Sequence, residues 1–343
     1  ALGWSFDHWT GDATGTTSPT SITITGNMAA TAHFTQNQYT ITISLDGSGS
    51  VLKNPDQNTY TYGQVVTLTA SAAQGWTFDH WSGDATGSTN PTQITIDGNK
   101  AVTAHFTQNQ YTLAITLDGS GSVTQNPDQE TYTYGQVVTL TAYPSTGWNF
   151  DHWSGDATGT TNPTSVTITG NMAVTAHFTQ NQYTLTISLD GSGSVAKDPD
   201  QTTYTYGQVV TLTATAAQGW TFDHWTGDAT GTANPTTVTM TGNMAVTAHF
   251  TQNQYTLTIT THGSGTVTTD PDQNTYTYGQ VVTLTALPAQ DWVFDSWSGD
   301  VTGSTNPTSI TITGNMSVIA HFSEQDLFPP VVNISQPTNA VYL

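Results

Sequence analysis

The 343-residue chain has no cysteine and no arginine, and its only lysines are Lys53, Lys100 and Lys197. Without cysteine, no disulfide can staple the fold and no thiolate is available for chemistry. Against those three cations stand 24 acids, for a formal net charge of −21. A surface so poor in positive charge excludes ordinary phosphate-backbone binding, so no nucleic-acid partner is expected. It also disfavours docking on anionic membranes. Trypsin-like proteases would find almost nothing to cut, which suits an exposed extracellular position. No apolar run is long enough to span a bilayer, so this segment is not expected to insert into one. Only 8% of the residues are charged, which leaves solubility largely to Thr, Ser, Asn and Gln. No window carries helical periodicity.

What is present is repetition. Tyr39, Tyr111, Tyr183 and Tyr255 open successive copies of one 72-residue unit, and Trp4, Trp76, Trp148, Trp220 and Trp292 mark a second point in each. Self-similarity at a fixed period of this size means an array of small modules rather than one large globule. The chain divides into a partial repeat at 1–38, full repeats at 39–110, 111–182, 183–254 and 255–326, and a linker with a following strand at 327–343. Residues 1–38 correspond to 73–110, so the first half of that module is missing. The stretch Phe328-Pro-Pro-Val-Val-Asn-Ile-Ser no longer follows the repeat and reads as the opening of another β-domain. A segment of a longer protein is therefore expected. A module of this length has a radius of gyration near ~11 Å and a width of roughly 30 Å, so modules in file would make a rod of roughly 130 Å.

Within residues 39–110, Tyr39 to Leu45 alternates Thr or Ser with Ile and Leu, the mark of a half-buried strand. Asp46-Gly47-Ser48-Gly49 is a turn before a return strand at Ser50, and Asn54-Pro55-Asp56-Gln57 is a second break. Tyr60 to Ala70 reads as one strand with Val66, Leu68 and Ala70 on a single face. Trp76, Phe78 and Trp81 are the bulkiest core candidates. Phe78 and Trp81 differ by three, so both can face inward only across a bulge. Gly83 to Thr92 is a loop. Ile94 to Ile96, a turn at 97–99 and Ala101 to Phe106 read as a closing hairpin. The expectation is an all-β chain: a linear tandem array of small antiparallel modules of about six short strands, forming an extended rod. The join Thr107-Gln108-Asn109-Gln110, with no Gly or Pro, is expected to be stiff.

These residues carry a resemblance. Tyr-Thr-Leu-Thr-Ile, Gly-Ser-Gly-Ser-Val, Tyr-Gly-Gln-Val-Val-Thr-Leu-Thr-Ala, Gly-Trp-Thr-Phe-Asp-His-Trp-Ser-Gly-Asp, Asn-Pro-Thr and Ala-Val-Thr-Ala-His-Phe, in that order, resemble the divergent internalin-type B-repeat of bacterial and archaeal surface proteins. The resemblance covers residues 1 to about 323. It implies a secreted or cell-surface protein, a small β-rich module and a stalk, spacer or adhesion role, and it implies no catalytic residues. The family has Gly more often than His before the second Trp, where this chain has Asp79-His80. Residues 328–343 resemble the start of an immunoglobulin-like domain.

Candidate chemistry is sparse. Asp79-His80-Trp81-Ser82-Gly83-Asp84 holds the letters of a nucleophilic triad, but a triad needs convergence in space. Thr10 and Thr226 replace Ser in two copies, and Asp295-Ser296 leaves a third without the His. Calcium is the better hypothesis: Asp79 and Asp84, with Asp151, Asp156, Asp223 and Asp228, flank a loop rich in oxygen ligands. The competing reading is a loop whose acids cap its own amides. His80 and His105 could share a transition metal if their strands are neighbours, as could His8 with His33, His152 with His177 and His224 with His249. Tyr60 and Tyr62 share a face and are the best exposed candidates for stacking on a sugar ring, whereas Trp76, Phe78, Trp81 and Phe106 read as core.

Many copies of something ordinary suit a stalk or the protomer of a filament, and argue against an enzyme. The partner expected first is the chain itself, through a repeated head-to-tail contact that propagates without closing. Val331, Val332, Asn333 and Ile334 could pair with the open edge of the half module in a neighbouring chain. The alternative is a multivalent adhesin that binds glycans through repeated weak sites.

Overall fold

The structure, a computed structural model, describes residues 1–327. The expected inter-subunit strand at Val331 to Ile334 lies outside the described residues. The chain is built from strands and carries no helix among the described residues. It packs as two compact units, one from Ala1 to Thr179 and one beginning at Gln180.

In the half module, β1 (Trp4–Gly11) pairs antiparallel with β2 (Ala30–Gln36). The first full module holds β3 (Gln38–Tyr39), β4 (Ile41–Asp46), β5 (Gly49–Asn54), β6 (Tyr60–Thr61), β7 (Val65–Ala72), β8 (Trp76–Gly83), β9 (Thr92–Thr95) and β10 (Lys100–Gln108). The six longer strands form two sheets, one in the order β4-β10-β8 and one in the order β5-β7-β9, and β3 pairs with β6. The same arrangement recurs at 72-residue intervals through residue 324.

Alternation explains which side chains meet. On β7, Val66, Leu68 and Ala70 are buried while Val65, Thr67 and Thr69 point the other way. On β10, Val102, Ala104 and Phe106 are buried. With Tyr60, Trp81, Ile94 and Ile96 they form one core held between the two sheets. Burial of each such aliphatic side chain favours folding by roughly 1.5–3 kcal/mol relative to exposure. Equivalent cores surround Trp153 in the first unit, and Trp225 and Trp297 in the second.

The anticipated bulge is present. His80 pairs with His105 and Phe78 with Phe106, which leaves Asp79 unpaired between them. That extra residue lets Phe78 and Trp81 both pack inward, with ring centroids 5.0 Å apart. The loop after β8 is pinned by Trp81, whose N–H donates to Gly87 O at 2.8 Å and whose indole donates to Thr89 O at 3.0 Å. Asn90 completes the closure by pairing its side-chain amide with both backbone groups of Ala70, each at 2.8 Å.

Three sequence expectations differ from the structure. Tyr60 to Ala70 is two strands, because Gly63 at φ +80° turns the chain between β6 and β7. The turn at Asp46 to Gly49 does not join a hairpin but carries the chain from one sheet to the other. Nor is there a closing hairpin at 94–106: β9 pairs with β7, and β10 lies between β8 and β4, the latter a parallel pair. Alternation fixes which face of a strand is apolar, not which strand lies beside it, and a two-sheet sandwich satisfies the same pattern.

Candidate functional site

Three features recur in the modules: a histidine pair on the outer face of one sheet, a pair of acids near the end of β8, and a junction to the next module.

The histidine pair follows from the bulge. With Asp79 looped out, His80 on β8 stands opposite His105 on β10, and the rings stack at 4.3 Å with 6° between planes. Asp46, at the end of the parallel strand β4, accepts from His105 Nδ1 at 2.8 Å. With a carboxylate on Nδ1 the neutral ring carries its proton there, and Nε2, 2.7 Å from the Ser82 hydroxyl, is then the acceptor. His105 thus bridges all three strands of its sheet. The arrangement repeats at Ser154-His177-Asp118 and Thr226-His249-Asp190. In the half module Thr10 and His33 keep the first contact, at 2.7 Å. In residues 255–326 Ser298 and His321 keep it at 2.6 Å, while His262 stands where the acid would be and lies 5.6 Å from His321.

Nucleophile, base and orienter are therefore in line, with His105 and Asp46 rather than the adjacent His80 and Asp79. Acyl transfer also needs donors aimed at a developing oxyanion and a place to hold the substrate. Ser82 sits on an open strand face, and replacement of Asp46 by His262 removes the orienter without disturbing the Ser–His contact. The chain of bonds links all three strands of the sheet. The expected two-histidine metal site meets a geometric obstacle. Stacked rings send their nitrogen lone pairs along parallel lines, which cannot converge on one ion, and both nitrogens of His105 are already engaged. Among the described residues no three His, Asp or Glu side chains converge to hold a metal.

The acids expected to bind calcium have separate duties. Asp79 accepts from His80 Nδ1 at 3.0 Å, as Asp151 does from His152 and Asp223 from His224. Asp84 accepts the Ala101 N–H at 2.7 Å and donates its own N–H back to Ala101 O at 2.9 Å, clamping the end of β8 to β10. Asp156 and Asp228 make the same clamp with Ala173 and Ala245.

The aromatic residues sort differently from expectation. Tyr60 is buried, its hydroxyl accepting from Gln57 N and donating to Pro55 O, so it cannot face a sugar. Beside it lies an open polar groove of about 780 Å³ that includes Gln38, Gln57, Asn58 and Gln64, and Gln64 donates to Gln57 at 2.9 Å. Residues 254–280 form the same groove, of about 740 Å³.

The junction is the most closely fitted of the three. In the first unit Gly75 takes φ +79°, and a side chain there would collide with Tyr134 of the next module. Asn109 donates its N–H to Gly75 O at 2.8 Å, accepts from Thr77 Oγ1 at 2.7 Å, and donates its amide to the Tyr111 hydroxyl at 3.3 Å. In the second unit Gly219, Tyr278, Thr221, Asn253 and Tyr255 repeat this set, with the corresponding hydrogen bonds at 2.8, 2.7 and 3.4 Å. Gly3, Tyr62, Ser5, Asn37 and Tyr39 form it at the start of the chain.

Comparison with known proteins agrees with the repeat. The model of the divergent InlB B-repeat domain matches residues 1–38, 39–110, 111–182, 183–254 and 255–326. No curated protein matches the chain. Among solved structures, the Bacillus anthracis TIE protein aligns over 94% of this chain and 74% of its own, at 10% identity and a TM-score of 0.41. The titin I-band fragment I67-I69 aligns over 83% of this chain and 95% of its own, at 7% identity and a TM-score of 0.10. Likenesses this distant carry no functional argument.

Proposed function

The chain belongs to the divergent InlB B-repeat family, and from that premise we propose that it is a non-enzymatic, extracellular stalk of a surface protein, whose modules are spacers joined end on end. One observation supports this above the others: the junction of Gly75, Thr77, Asn109, Tyr111 and Tyr134, repeated at Gly219. A Gly buttressed by a neighbouring Tyr and an Asn bonded on both sides of the join restrict bending where a flexible linker would leave it free. A spacer needs that property, whereas a catalyst or a free-swinging tether does not. Small-angle scattering of the full chain tests the reading. A maximum dimension near the ~130 Å expected for modules in file supports it, and a compact particle overturns it. Head-to-tail self-association into a filament is the further form this reading takes, and sedimentation over a concentration series decides it.

The adhesin reading has one observation of its own, the repeated polar groove beside Gln57 and Gln64. Carboxamides that both donate and accept suit neutral sugar hydroxyls. A glycan array probed with the full chain tests it, and silence across the neutral glycans removes it. For calcium, the cation would have to displace the bonds that Asp79 and Asp84 already make; saturable heat in a calcium titration, abolished in Asp84→Asn, is the result that would establish such a site.

A further inference from the structure

Module 255–326 keeps its core and changes its junction. Trp297 and Tyr276 are buried, and Asn306 pairs with Ala286, as in every other full module. At the face that would receive another repeat, all three junction residues differ. Asp291 stands where Gly3, Gly75, Gly147 and Gly219 stand, Val293 where Ser5, Thr77, Asn149 and Thr221 stand, and Gln325 where Asn37, Asn109, Asn181 and Asn253 stand. Asp291 retains the same left-handed turn at φ 64°, unfavourable for a side chain, and Gln325 N still donates to Asp291 O at 2.8 Å. The backbone of the junction is therefore preserved while its side chains are exchanged.

Each exchange removes one part of the contact. At Gly75 and Gly219 the next module's Tyr134 or Tyr278 lies where a Cβ would be, so the Asp291 side chain occupies the space a following Tyr needs. Val293 has no polar group to hold a carboxamide, whereas every other copy has Ser, Thr or Asn there. Gln325 is one methylene longer than the asparagine that bridges to the next Tyr hydroxyl. Asp291 also adds charge beside Asp295, Glu324 and Asp326 in a module with no lysine.

We propose that this face is a built-in stop: it rejects a B-repeat fused in line, so the run of repeat junctions ends here. The inference does not rest on the stalk reading, because the junction chemistry holds whatever the array is for.

The test transplants the stop. Gly75→Asp in the full chain places the same residue at an inner junction, where Asp291 already shows that this turn accepts it. Hydrogen exchange is then followed in the paired segments Gln110–Tyr111 and Tyr132–Thr133 of the next module and, separately, in the strands 65–72 and 100–106. The expected result is at least tenfold faster exchange in that pair with the core strands unchanged. Unchanged protection in that pair overturns the proposal. A reciprocal pair covers the case in which Gly75→Asp fails to fold. Residues 39–110 are fused directly after Asp326, once to the native face and once to the triple variant Asp291→Gly, Val293→Thr, Gln325→Asn. Protection at the new join is expected only in the triple variant, and equal protection in both fusions overturns the proposal.

Discussion

Lys100 shows what one side chain does to one copy. Equivalent positions in the other full modules carry Met172, Met244 and Met316, so only residues 39–110 have a cation there. Its ammonium lies 2.6 Å from Asp97 and 3.5 Å from Asp84. The hydrogen bond to Asp97 raises the Lys100 pKa above its ordinary value, and the same bond lowers that of Asp97. The depressed acid contributes stability above its ordinary value of 3.8 that is lost as pH falls through the folded value below it. The raised base contributes below 10.5 and loses its share as pH rises through the folded value above it. Lys100→Met should therefore cost stability between those limits, by a small amount because Asp97 is fully exposed. The difference in hydrogen exchange at residues 100–106 between native and variant should persist at neutral pH and close at acid pH. A second residue-scale prediction concerns Ser82. With no oxyanion donors set around it, fluorophosphonate reagents should leave it unlabelled at neutral pH. Labelling that disappears in His105→Ala would reverse the structural reading of the Ser82-His105-Asp46 chain.

At the scale of the element, Trp81 is the keystone of each module. It fills the core, its backbone holds Gly87 and its indole holds Thr89. Trp81→Ala should cost about 3–5 kcal/mol in its own module. Distant sites contribute additively, so calorimetry should show one lowered transition while the core around Trp225 is unmoved. The elements also mark what the sequence could reveal. The apolar faces of β7 and β10 and the bulge at Asp79 were legible, because local periodicity carries them. The pairing of β10 with β4 was not, since strands some 59 residues apart leave no local mark. For the same reason the sequence pointed to His80 and Asp79 as the partners within a triad-like run, whereas His105 takes Asp46 from β4. A signal did exist: in the copy where Asp46 becomes His262, His80 becomes Ser296. His105, which stacks on one of these positions and bonds the other, is unchanged as His321, so their joint change points to a shared neighbour rather than to the bonded pair. The junction was legible only as a join without Gly or Pro; the fit of Gly75 to Tyr134 requires knowing that the next module's β6 turn lies against it.

For the molecule as a whole, the unbalanced charge is spread unevenly, and this makes the modules distinguishable in solution. Residues 39–110 hold Lys53 and Lys100, both paired with acids. Residues 255–326 hold Asp270, Asp272, Asp291, Asp295, Asp300, Glu324 and Asp326 and no lysine. Exposed like charges repel over about 10 Å at 0.1 M salt and over about 30 Å at 0.01 M. A module of this size buries a core that is only marginally sufficient, so self-repulsion is a sizeable fraction of its net stability. Calorimetric unfolding of the full chain at low and high sodium chloride should accordingly shift every transition upward with salt. The shift should be largest for the transition assigned to residues 255–326 and smallest for the one assigned to 39–110. Assignment comes from Trp297→Phe and Trp81→Phe, each of which should lower only its own transition. Equal shifts would mean that repulsion acts across the whole chain rather than within each sandwich, and the modules would then have to be treated as one cooperative body. A reversed order would mean that the ion pairs of Lys53 and Lys100 outweigh the excess of acids in residues 255–326. The unequal shift is expected because exposed pairs contribute little, whereas residues 255–326 hold seven acids and no lysine.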